Sequence, residues 1–234
     1  MSSDKTSDSV RKTLSTFAIL ATLFGLVGCV STGNFYYAKG YDAHEAGNHS
    51  NAVAFWRKAA EGGSIQAQFA LGTAYLSGKG VTRNIKEAMN WFLKAANNGD
   101  LQAQFNLGLI FELGKGVPRD YEKSVKWYRK AAEGGLAEAQ SNLGAAYQAG
   151  DGVIKDDKKA IFWIRKAAGQ GLAIAQSNLG RAYEEGVGVE VDYGEAEKWL
   201  RLAAAQGHKK AINSLKKLKE KRQGAGSALE EQEK

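Results

Sequence analysis

The feature that most constrains this chain is an internal period of 36 residues. Ala67, Ala103, Ala139, Ala175 and Ala211 share one register, as do Leu71, Leu107, Leu143, Leu179 and Leu215. Gly72, Gly108, Gly144 and Gly180 come next, followed by Tyr75, Phe111, Tyr147 and Tyr183. A turn signature then repeats: Gly78-Lys-Gly80-Val, Gly114-Lys-Gly116-Val, Gly150-Asp-Gly152-Val and Gly186-Val-Gly188-Val. A period of this length belongs to arrays of stacked units, none of which buries its apolar face without neighbours.

Each unit reads as two helices. Ala67, Leu71 and Tyr75 recur every fourth residue and form one stripe of a first helix. Ala88, Trp91, Phe92, Ala95 and Ala96 have the spacing of a second, amphipathic helix. Asn84, Asp120, Asp156 and Asp192 stand just before it, where a short acceptor side chain bonds the free amides of the first turn. Gly63, Gly99, Gly135, Gly171 and Gly207 close the units and suit the left-handed residue after a helix end. Trp91, Trp127, Trp163 and Trp199 keep register with alanine pairs, which predicts rings buried between helices and not an exposed stacking platform. Composition follows: 28 glycines beside one proline are the count that repeated turns require.

This pattern resembles the Sel1-like repeat (SLR), a branch of the tetratricopeptide-type (TPR) helical arrays. The resemblance implies an all-α fold, an α-solenoid of helical hairpins in a right-handed superhelix. Four SLR units cover 64–99, 100–135, 136–171 and 172–207. Residues 35–63 follow TPR-like spacing, with Tyr36, Gly40, Ala43, Ala52, Trp56 and Ala59 and a shorter turn at Gly47-Asn48. Residues 208–222 read as a basic capping helix with Ala211 and Leu215 in register, and 223–234 as a disordered tail.

The first residues tell a different story. An apolar run from Phe17 to Val27 is too short to span a hydrocarbon layer of ~30 Å and suits a signal-peptide core. It ends in Leu26-Val27-Gly28-Cys29, and Cys29 is the single cysteine of the chain. Small residues before a lone cysteine resemble the lipobox of bacterial lipoproteins, which implies a signal peptide over 1–28, acylation at Cys29 and a short anchored linker over 29–34. Val30 in place of an aspartate favours an outer-membrane address, facing the periplasm, if the organism has two membranes. An ordinary cleaved signal or a retained anchor, with Cys29 incidental, is the alternative.

Function is sought in the positions that do not repeat. On the first helices the constant positions share one side, and the opposite side varies from unit to unit. In the resemblance this side lines a concave groove. Phe69, Phe105 and Leu109 would take apolar side chains of a bound peptide, with Asn106, Asn142 and Asn178 for its backbone and Arg181 at the charged end. A second candidate is the run 209–222, which carries a net +6 while residues 29–208 carry only +2. Lys209, Lys210, Lys216, Lys217, Lys219, Lys221 and Arg222 could meet an anionic polymer such as an exopolysaccharide or a wall polymer. Because the charge is so localised, the pI of about 9.3 makes no case for nucleic acid.

Chemistry-bearing motifs are few. The Gly-x-Gly turns follow helices and not strands, so they fail the context test of a dinucleotide loop. His44, His49 and His208 read as solvent-facing turn residues, and no metal or cofactor is expected. Some SLR proteins are associated with β-lactams, but those are cysteine-rich. Here the Ser-x-x-Lys spacing of Ser214 and Lys217 stands alone on the basic helix. The expectation is therefore a non-enzymatic, lipid-anchored envelope scaffold for protein or peptide partners.

Overall fold

The structure, a computed structural model, describes residues 32–232, with side chains through 220. Cys29 and the signal and lipidation segment lie outside the described residues. Among those described there are eleven helices and no strand, so the fold is an all-α helical-repeat solenoid. They are α1 (32–45), α2 (His49–Glu61), α3 (Ile65–Ser77), α4 (Ile85–Asn97), α5 (Leu101–Leu113), α6 (Tyr121–Glu133), α7 (Ala137–Ala149), α8 (Asp157–Gly169), α9 (Ala173–Glu185), α10 (Tyr193–Ala205) and α11 (Lys209–Gln232). Odd-numbered helices are the first of each hairpin. The chain divides into two compact units, through Ala103 and from Gln104.

Capping sets the helix starts. Asn84 accepts a hydrogen bond from the Glu87 amide at 3.1 Å, Asp120 from Lys123 at 2.9 Å, and Asp156 from Lys159 at 2.9 Å. Asp192 accepts from both Gly194 and Glu195. The salt-bridged lysines and these amides hold the Asp120 and Asp156 carboxyls below the ordinary range. For Asp120 the Lys123 side chain contributes most, and for Asp156 the Lys159 amide does. His208 does the same work for α11: its Nδ1 lies 3.3 Å from the Ala211 amide, so it is a cap and not a free turn residue.

In the first unit, Trp56, Leu71, Ala52, Ala59, Ala67 and Ala74 form the core, with Trp91 packed at its edge. The contact between paired helices depends on a missing side chain. A Cβ on Gly40 would lie 2.3 Å from the Trp56 ring, and one on Gly72 would lie 2.5 Å from the Phe92 ring. The second unit repeats this, Gly108 against Tyr128, Gly144 against Ile164 and Gly180 against Leu200. The first hairpin, set apart by its TPR-like spacing, is thus built like the others, with a turn shortened to residues 46–48.

Neighbouring hairpins are joined at the second turn glycine. Gly80 has φ +74°, and a Cβ there would sit 2.2 Å from the His49 carbonyl oxygen. Gly152 meets Tyr121 and Gly188 meets Asp157 in the same way in the second unit. These positions need glycine twice, for the left-handed backbone and for the close approach.

Two expectations change. The tryptophans in register are half-buried, and the fully buried place belongs to the next residue, Phe92, Tyr128, Ile164 or Leu200. Trp91, Trp163 and Trp199 pack against the core, and a lysine lies over each indole of the series, Lys94 over Trp91 at 4.0 Å and Lys130 over Trp127 at 4.3 Å. The segment 223–232, read as disordered tail, continues α11. It holds Ala225, Ala228, Leu229 and Glu230 and no proline, and extending a formed helix needs no new nucleus.

Candidate functional site

The first unit holds a recess of about 340 Å³ at the meeting of α1, α2 and α3. From α1 come Tyr37, Tyr41 and His44; from α2, His49 and Trp56. The third wall is the varying side of α3, with Gln66, Phe69, Ala70 and Thr73, and Ser77 and Lys79 finish the rim. Trp56 and Ala74 are buried and make the floor, while Tyr41 is half exposed at the mouth. Phe69 is half-buried, its ring 5.8 Å from that of Phe92, so it presents one face to the recess and rests the other on its own hairpin.

The histidines correct the reading of them as solvent-facing turn residues. His44 ends α1 and His49 begins α2, and the short turn brings their Nδ1 atoms to 3.1 Å. One must donate and the other accept. The His44 ring also lies 5.5 Å from that of Trp56, whose Nε1 is buried without a hydrogen-bond partner. Thr73 and Ser77 direct their hydroxyls to carbonyls of their own helix, Thr73 to Phe69 and Ser77 to Thr73.

The second unit has a smaller recess of about 150 Å³ between α5, α6 and α7. Tyr128 donates its hydroxyl hydrogen to the Glu112 carboxylate there, and Asn142 stands beside it. Burial first, and then Glu112, push the Tyr128 phenol well above the ordinary tyrosine range. The Phe105 ring lies tilted against that of Tyr128, centroids 5.6 Å apart, and Phe105 and Leu109 both pack on the core of this unit. Asn106, Asn142 and Asn178 are half-buried on successive first helices, and Arg181 is exposed, 3.9 Å from Glu185. In the series of Phe69 and Phe105 the later members, Ser141 and Ser177, are buried. The series of Phe69 and of Asn106 are therefore recessed, while Thr73, Ala145 and Arg181 of the next series are exposed.

On α11, Ala211 and Leu218 are buried against α10, while Lys209, Lys210, Lys216, Lys217 and Lys219 are exposed. Lys221 and Arg222 lie in the same helix beyond the described side chains. Ser214 is half-buried there. Among the described residues no group of three or more His, Cys, Asp or Glu side chains converges, and no helix is long and apolar enough to cross a membrane.

The Sel1-repeat family profile matches residues 28–64, 65–100, 101–136, 137–172 and 173–208. The chain belongs to the Sel1-repeat family. The first match takes in the hairpin set apart as TPR-like, so there are five family repeats and not four. Among solved structures, a protective antigen present in uropathogenic Escherichia coli strains, with an SLR fold, is 34% identical over 78% of this chain at a TM-score of 0.76. This chain spans only 40% of that protein's length. A Sel1-repeat protein from Oxalobacter formigenes is 35% identical, covers 78% of this chain and 76% of its own, and gives a TM-score of 0.73. A putative Sel1-repeat protein from Klebsiella pneumoniae shares the fold at 18% identity over 80% of this chain and 93% of its own, with a TM-score of 0.50. No curated protein sequence matches. Sel1 repeats generally mediate protein–protein interaction and are mostly non-catalytic.

Three residues of the larger recess, Tyr37, Tyr41 and His44, escape a search at period 36. The short first turn shifts α1 by four residues, so a period of 32 is needed to align Gly40 with Gly72, Tyr37 with Phe69 and Tyr41 with Thr73.

Proposed function

We propose that this Sel1-repeat protein is a lipid-anchored scaffold of the cell envelope, binding protein or peptide partners on the first-helix faces of its hairpins without catalysing a reaction. The observation that carries this is a division of labour along α3: Ala67, Leu71 and Gly72 repeat and are core, whereas Gln66, Phe69, Ala70 and Thr73 vary and line a recess. Variation confined to a recessed, partly apolar face is what a recognition surface requires. Anchoring rests on the sequence Leu26-Val27-Gly28-Cys29, and the outer membrane is the proposed address.

Co-purification from detergent extracts tests the scaffold reading. Phe69→Glu and Phe105→Glu should each lose partners kept by the wild type, with unchanged helical content. Retention of every partner by the double variant would overturn it. For the anchor, labelled palmitate should enter the wild type and not Cys29→Ser; equal labelling would remove that part alone.

A second reading is favoured by α11, where five exposed lysines stand on a helix held by Ala211 and Leu218. An anionic polymer such as an exopolysaccharide would bind there, weakening steeply with salt. Binding that ignores salt, or survives neutralising Lys209, Lys210, Lys216 and Lys217, rules it out.

A further inference from the structure

We propose that the recess between α1, α2 and α3 is a binding site for a small free aromatic carboxylate. This goes beyond the scaffold reading, which takes the α3 wall of the same recess for protein partners. Volume comes first: about 340 Å³ lies at the lower end of small-molecule sites, so the occupant is compact. The lining is aromatic on three sides, with Tyr37 and Tyr41 on α1, Trp56 below and Phe69 opposite. Such walls take a planar ring by offset or edge-on stacking.

Charge then selects among ring compounds. Every chargeable lining side chain other than the two tyrosines is basic: His44, His49 and Lys79. No carboxylate lines the recess, so a cationic ring compound would meet only like charge, whereas an anion finds an ammonium at the rim. The Lys79 side chain is exposed and lines the recess, so its ammonium is open to an anionic substituent. A charged partner also strengthens the hydrogen bond it makes.

Hydrogen bonding favours a free acid over a peptide. A peptide strand brings amides and carbonyls that need partners of their own. The Thr73 and Ser77 hydroxyls already bond carbonyls of α3, and the His44 and His49 Nδ1 atoms bond each other. What is left is apolar surface and side-chain groups that donate, the tyrosine hydroxyls, the Trp56 Nε1, the Gln66 amide and the Lys79 ammonium, which suit one ring and one carboxylate better than a strand's amides.

Calorimetry on the full chain tests this with 3-phenylpropanoate, 3-phenylpropanamide and the peptide Ala-Ala-Phe. The acid should bind about tenfold tighter than the neutral amide, the size expected for one charge-assisted hydrogen bond. Lys79→Gln should remove most of that preference. Thr73→Trp enlarges an exposed position on the wall and should abolish binding while helical content and melting temperature hold. Equal affinity for acid and amide, binding of neither, or binding that persists in a folded Thr73→Trp protein would overturn the proposal. Tighter binding of the peptide than of the free acid would overturn the choice of a free ligand. Lys79→Gln losing the preference for the acid while keeping co-purified partners separates this site from the scaffold function.

Discussion

Glycine carries the fold at two kinds of position, and they differ in how much their surroundings can yield. At Gly72 an added methyl meets the edge of the Phe92 ring at 2.5 Å, a side chain with some freedom to tilt. At Gly152 it meets the backbone carbonyl of Tyr121 at 2.3 Å, with φ at +68°. Gly72→Ala should cost about 2 kcal/mol and Gly152→Ala more, about 3 kcal/mol or above, by urea denaturation. An equal or reversed order would mean that the turn relaxes freely. The capping aspartates give a pH effect at the same scale. Asp120 and Asp156 have lowered folded-state pKa values, so their contribution is present above the unfolded carboxyl pKa and is lost as pH falls through the folded one. Asp120→Asn/Asp156→Asn keeps the capping acceptors but cannot titrate. Its melting temperature should therefore fall less than that of the wild type between pH 6 and pH 2, and parallel curves would refute the assignment.

Helix by helix, one residue separates the core from its margin. Phe92 is fully buried and Trp91 is half-buried under Lys94. Phe92→Ala should cost about 3–5 kcal/mol and Trp91→Ala clearly less, about 1–2 kcal/mol, although the indole is the larger ring. Equilibrium unfolding of the two variants decides it. Helix pairing, caps and closing glycines are legible in the sequence because each rests on a local rule repeated several times. The place of the tryptophans is not, since two adjacent apolar positions on a helix differ by about 100° and periodicity alone does not say which points inward. His44 and His49 are hidden for another reason: their contact depends on a turn of three residues that interrupts the very period used to read the chain. Phe69 is found from the sequence, but Tyr37 and Tyr41, which share its recess from α1, are not.

At the scale of the whole molecule, α11 shields the apolar end of the last hairpin, with Leu218 buried beside Leu200 and Ala203. Ending the chain at His208 should leave that surface open and lower the melting temperature by several degrees, with the loss concentrated in α9 and α10 as read by hydrogen exchange. Uniform loss of protection throughout the chain would contradict the nearest-neighbour picture. The junction glycines set a further rule. Each presses on the carbonyl of the preceding hairpin at a fixed offset in the chain, Gly152 on Tyr121 and Gly188 on Asp157. Adding or removing a single residue between these contacts would break the seam, whereas inserting a whole 36-residue unit would recreate it. Such a chain can grow or shrink by gene duplication in whole steps only, and the aromatic recess of the first hairpins and the lysine helix that follows the last would inherit each change of length with their own residues untouched.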